Sequence, residues 1–114
     1  MTGKKAIFPE GFSTTTPCSP GIVSGGFLFI SGQVGHAADG SLSADIEKQT
    51  RQALASLHAV LKTAGCDFKD FVKVNVFTAK QEYVQAFNKI SMTTIPEPRP
   101  TRATSSPHWR AIVF

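Results

Sequence analysis

Acidic residues run out before this chain does. No Asp or Glu occurs after Glu97, although Arg99, Arg102 and Arg110 lie beyond it. Cysteine is equally scarce: Cys18 and Cys66 are the only two, far apart and in no metal-ligand spacing. With no secretory leader in sight, they read as two reduced cytosolic thiols rather than as a disulfide. No CxxC, HExxH, P-loop or GxGxxG occurs, so zinc, nucleotide and dinucleotide chemistry have no foothold, and no metal or cofactor is expected. No apolar run approaches the roughly 20 residues of a membrane span, and no membrane partner is expected. The opening MTGKKAIFPEGF has two lysines but neither an apolar run nor an arginine. That argues against a secretory signal and against an Arg-rich transit peptide. A cytoplasmic location follows, with a mitochondrial one left open.

What is present fits one domain, residues 1–114, large enough for a modest core. Hydrophobic residues make up 41% and charged residues 18%, the balance of a globular chain. Through Glu97 there are nine basic and eight acidic residues; the three later arginines supply most of the net charge of +4. A modest positive charge favours anionic ligands without selecting RNA over a small carboxylate.

Residues 13–26, STTTPCSPGIVSGG, read as loop with a short strand at Gly21–Ser24. FLFISGQ (Phe27–Gln33) is aromatic and β-branched, bounded by glycines, and predicts a buried strand ending in a tight bend. Asp39-Gly40 is a turn dipeptide. The clearest element is a helix over Asp45–Ala64. Ile46, Thr50, Ala53, Leu54, Leu57, Val60, Leu61 and Ala64 recur at three- and four-residue steps, Asp45 or Ser43 can cap the start, and Gly65 ends it. Phe71–Ala79 alternates valines with Lys73 and Asn75 and predicts a strand with one wetter face. Lys80–Ile95 predicts a second helix, with Tyr83, Val84, Phe87 and Ile90 as its stripe and Pro96 and Pro98 as its stop. Arg99–Thr104 is expected to be extended, because the residue before Pro100 avoids the α region, and AIVF at 111–114 offers one more short strand.

This order implies an α+β fold, a mixed sheet with both helices on one face. The other sheet face would stay exposed in a monomer, which predicts oligomerisation.

Among candidate functional residues Arg102 stands first. Its proline-flanked segment fixes the backbone, and a guanidinium grips a carboxylate through two parallel hydrogen bonds. From that motif alone, a solvated surface arginine is the better reading. Arg99 and Arg110 have weaker claims; Arg110 can stack on Trp109. Ser31 and Gly32, at a strand end, can present a hydroxyl and a backbone N–H to a ligand, or form a plain bend. Asn88 sits beside an apolar stripe and is either a ligand contact or a helix-surface amide. His36, His58 and His108 carry little weight. No Ser-His-Asp or Cys-His pairing can be built from spacing, which disfavours nucleophilic catalysis.

Taken together, FLFISGQVG, DIEKQTRQALASLHAVLKTAGCDFKDFVKVNVF, AFNKI and RPTRAT resemble, in order and spacing, the RidA/YjgF family of reactive intermediate deaminases. That family is also called the L-PSP endoribonucleases. The resemblance runs from about Pro17 to Thr104. It implies a chorismate-mutase-like α+β fold and a homotrimeric barrel with ligand clefts between subunits. It also implies hydrolysis of 2-imino and 2-aminoacrylate-type acids to 2-keto acids and ammonia, without metal or cofactor. By position, Arg102 corresponds to the arginine that holds the substrate carboxylate, Ser31 and Gly32 to the strand-end binding pair, and Asn88 to an asparagine near the cleft. Thr104 falls where members have Cys or Thr.

Two departures stand out. Members usually have a tyrosine where this chain has Cys18, which alters one wall of the cleft. They also continue into an acidic strand of the type VEIEAIA, whose glutamate positions the attacking water. Here a shortened SSPHWRAIVF stands in its place, with no acid. Two other readings therefore remain. RNA binding or cleavage is favoured by the basic tail and Trp109. A non-catalytic carboxylate-binding module is favoured by the missing acid.

Overall fold

The computed structural model describes residues 3–12, 17–37 and 39–105, the last four of them by backbone alone. Its elements follow the order β1 (Lys5–Ile7), β2 (Gly21–Ser24), β3 (Phe27–Ile30), α1 (Ile46–Thr63), β4 (Lys73–Phe77), α2 (Tyr83–Thr94) and β5 (Thr101–Ser105).

The long amphipathic stripe predicted for α1 is its buried face: Thr50, Ala53, Leu54, Leu57, Val60 and Leu61 are all buried, joined by Gln49. Asp45 caps the start, its carboxylate accepting the backbone N–H of Glu47 at 2.9 Å. At the other end the N–H of Cys66 reaches Leu61 O and that of Gly65 reaches Lys62 O. This pair of bonds closes the last turn and requires the left-handed backbone that Gly65 adopts. Helix α2 begins at Tyr83 rather than Lys80, after a turn in which the Tyr83 N–H donates to Lys80 O and the Val84 N–H to Gln81 O, and it stops at Ile95 before Pro96.

Strands β1, β2 and β3 form an antiparallel ladder, while β4 and β5 form a separate parallel one. Both strand orientations are thus present, but in two ladders among the described residues. Gly25 and Gly26, both with positive φ, make the two-residue turn between β2 and β3. Strand β1 is missing from the sequence reading. Three residues show no period, and β1 exists only through its pairing with β2. The second ladder aligns Val74 with Arg102 and Val76 with Thr104.

The helices cover one face of each ladder. Leu54, Leu57 and Ile90 pack with Ile30, Phe68 and Phe71. Val74, Val76 and Phe87 pack with Ile46 and the same Phe71. The buried strand expected at Phe27–Gln33 needs correcting. It ends at Ile30, and Phe27 and Phe29 are 60% and 62% exposed. Alternation puts Leu28 and Ile30 on the helix side and the two phenylalanines on the other. The short strand AIVF falls outside the described residues.

Candidate functional site

Strand pairing delivers the first group of candidate residues. At the end of β3 the N–H of Ser31 donates to Pro20 O at 2.9 Å. The Ser31 hydroxyl donates to Ser19 O, and Gln33 Nε2 donates to Ser31 O at 3.0 Å. These bonds clip the Cys18–Pro20 segment to the strand end, so Cys18, Ser31 and Gly32 come together although 12 residues separate Ser19 from Ser31. The Cys18 and Gly32 positions are exposed there. The bend is therefore more than a plain turn: its hydroxyl fixes a loop.

Arg102 and Thr104 ride on the other ladder, two residues apart on β5. The Thr101 N–H and hydroxyl both reach Val72 O, which anchors the start of β5 to β4. Asn88 is half-buried on α2, next to Phe87, which packs on Val74 and Val76. Its carbonyl accepts the Ser91 hydroxyl at 3.2 Å.

Two details depart from the sequence reading. Arg99 does have an acidic partner: its Nη1 donates to Glu97 Oε1, two residues back in a non-helical stretch. A histidine–acid pair also exists. His58 Nε2 lies 3.3 Å from Asp67 Oδ1, with its ring stacked on Phe68 at 4.9 Å between centroids. Lys62 approaches the same carboxylate at 3.9 Å. Spacing could not reveal this pair, because the helix end and a 3-10 turn at Phe68–Asp70 bring it together. The Phe68 N–H, followed by the charges of His58 and Lys62, holds the Asp67 carboxyl below the ordinary aspartate value.

Among the described residues no group of three or more His, Cys, Asp or Glu is placed to hold a metal ion. Nor is any helix long and apolar enough to cross a membrane. Two shallow concavities of about 300 and 290 Å³ lie around Lys62–Asp70 and between α1 and α2, and none of Cys18, Ser31, Gly32 or Asn88 lines either one.

An α+β layer of two helices over strand ladders is shared by many proteins, and comparison narrows it. The family model described as Endoribonuclease L-PSP matches residues 9–108, and the chain belongs to that family, the RidA/YjgF proteins. It is 40% identical over 85 residues to the RutC family protein YjgH of Escherichia coli, covering 72% of this chain and 65% of that protein. It is 33% identical over 103 residues to the mitochondrial protein mmf1 of Schizosaccharomyces pombe, covering 90% of this chain and 64% of mmf1. It is 37% identical over 78 residues to the 2-iminobutanoate/2-iminopropanoate deaminase of Mus musculus, covering 67% of this chain and 58% of the enzyme. The chain thus spans just under two thirds of the length of mmf1 and YjgH. The solved structure of YyfA, a Rid family protein of Yersinia pestis, superposes with a TM-score of 0.87 at 31% identity, over 97% of this chain and 94% of that one. The fold is the RidA/YjgF fold.

Proposed function

We propose that this protein hydrolyses reactive 2-imino and enamine acids, such as 2-aminoacrylate, to 2-keto acids and ammonia. The observation that carries the reading is the placement of Arg102 on β5, in register with β4, within a family that includes a 2-imino acid deaminase. In this reading one domain, residues 1–114, assembles as a cytoplasmic homotrimer whose clefts lie between subunits. The exposed positions of Cys18 and Gly32, on either side of the clipped Ser31, support this, since a second surface is needed to enclose them.

The chemistry asks little of the protein. The enamine tautomerises to the imine by taking a proton at C3. Water adds to C2 of the protonated imine, and the resulting amino alcohol expels ammonia and leaves the C2 carbonyl. Arg102 holds the carboxylate by two charge-assisted hydrogen bonds, which fixes C2 relative to the attacking water. Gly32 contributes an unobstructed backbone N–H, with Asn88, Thr104 and Cys18 lining the cleft. Ser31, whose hydroxyl bonds Ser19 O, keeps the strand end in place. No metal or cofactor takes part.

A second reading has its own observation. His58, Asp67, Lys62 and the Phe68 ring gather at one end of α1, a combination suited to RNA. Both are tested by generating 2-aminoacrylate from serine with a pyridoxal-phosphate dehydratase and trapping it with semicarbazide. The proposal expects added protein to hydrolyse the imine to pyruvate before semicarbazide captures it, so that less trapped product forms. Salt-dependent RNA affinity without diversion supports the second reading instead. Carboxylate binding without turnover supports a binding module.

A further inference from the structure

Helices α1 and α2 leave a groove of about 290 Å³ between them. Arg51, Leu54, Ala55 and His58 border it from α1 at steps of three and four residues, and Ile90, Thr93 and Thr94 border it from α2 in the same way. One stripe of each helix therefore faces it. Leu54 and Ile90 belong to one buried cluster and form its floor, while Ala55, the smallest side chain of the α1 stripe, leaves the trough open. The Thr93 and Thr94 hydroxyls both donate to Ile90 O, at 2.8 and 2.9 Å. Their protons are thus spent within α2, and the two side chains offer a ligand methyl groups and acceptor oxygens but no donor. A negatively charged group has its partner elsewhere in the groove, at Arg51.

The two ends of the groove differ in chemistry. At one, Glu47 lies 3.7 Å from Arg51 and 3.6 Å from Lys89, so a single carboxylate faces two cations. Both contacts are longer than hydrogen bonds, and the planar donor fork of Arg51 stays available to a further anion. At the other end the His58 ring stacks on Phe68, with 4.9 Å between centroids and planes 12° apart. His58 Nε2 is turned to Asp67, so the pair gives the groove an aromatic wall. Seven residues of helix, about 10 Å, separate Arg51 from His58. We propose that this groove binds a small aromatic monocarboxylate, its carboxylate on Arg51 and its ring over Leu54, Ala55 and Ile90 against the His58–Phe68 stack. A volume of about 290 Å³ stands at the small end of ligand sites and suits such a molecule. None of Cys18, Ser31, Gly32 or Asn88 lines the groove, and the inference does not depend on the activity proposed above.

The test is a titration of the full chain with 3-phenylpropionate, followed through the amide NMR signals. The expected result is saturable movement of the Ala55, Thr93 and Thr94 signals, with a Kd of about 1 mM or tighter. Arg51→Gln, which alters an exposed side chain, should weaken that binding about tenfold or more, and so should replacing the ligand by the uncharged 3-phenylpropanol. Ala55→Leu, which fills the trough, should abolish the response while the remaining signals report an intact fold. Arg102→Ala should leave the response at Ala55 unchanged, which separates this groove from the cleft proposed for catalysis. No movement at Ala55, Thr93 and Thr94 overturns the proposal, as does movement confined to Ser31 and Gly32. Equal binding of the alcohol, or of the acid by Arg51→Gln, overturns it too, because the carboxylate would then not be read by Arg51. Movement of these signals with an RNA oligonucleotide but not with the acid assigns the surface to RNA instead.

Discussion

Single residues decide how much of the site could be read in advance. Ser31 was legible as a strand-end residue, but its hydroxyl bond to Ser19 was not, because the partner lies 12 residues away in a loop without periodicity. The His58–Asp67 pair was hidden for the same reason. Gly35 carries a firm prediction. A Cβ there would lie 2.3 Å from the Gln49 carbonyl oxygen, which is helix backbone and cannot step aside. Gly35→Ala is expected to destabilise the fold by about 1–3 kcal/mol, measured by urea denaturation. Asp67 carries a pH prediction. Its folded value is depressed by the Phe68 N–H and by His58 and Lys62, and that of Asp39 by its bonds from Ser41. A depressed carboxylate contributes stability above its unfolded value of about 3.9, and loses it as pH falls through the lower folded value. Denaturation midpoints should therefore drop below about pH 4, and less steeply in Asp67→Asn. An unchanged slope in that variant would remove Asp67 from the account.

Among the elements, α1 was legible almost to the residue, because 18 residues give a 3.6-residue period room to repeat and its cap and terminating glycine are local signals. The strands were harder to read. Strand β1 has three residues, and the division into an antiparallel and a parallel ladder is a matter of pairing partners that no single segment encodes. Leu57 on α1 is buried against Leu54 and Ile90. Leu57→Ala should cost about 2–5 kcal/mol through lost burial and the cavity left behind. Lys48→Ala, on the exposed face of the same helix, should stay within about 0.5 kcal/mol. Equal effects would mean that the helix packs by another face.

At the scale of the whole molecule, the exposed Phe27 and Phe29 rings are the main reason to expect more than one chain. The sequence reading expected an uncovered sheet face but took the Phe27–Gln33 strand as buried, because aromatic and β-branched composition does not say which side of a strand the helices cover. The proposed trimer should run at about 36 kDa, three chains of 12.2 kDa, in size-exclusion chromatography with light scattering. Phe29→Lys should lower that mass; a wild-type monomer would contradict the interface cleft. The role of Arg102 is the central claim, and it rests on family position and strand register, since neither composition nor period separates a carboxylate grip from a surface charge. The most direct measurement is kcat/KM for 2-aminoacrylate diversion to pyruvate by wild type and by folded Arg102→Ala. Losing two charge-assisted hydrogen bonds predicts a fall of about 100-fold or more. Equal rates for the two proteins would contradict the account.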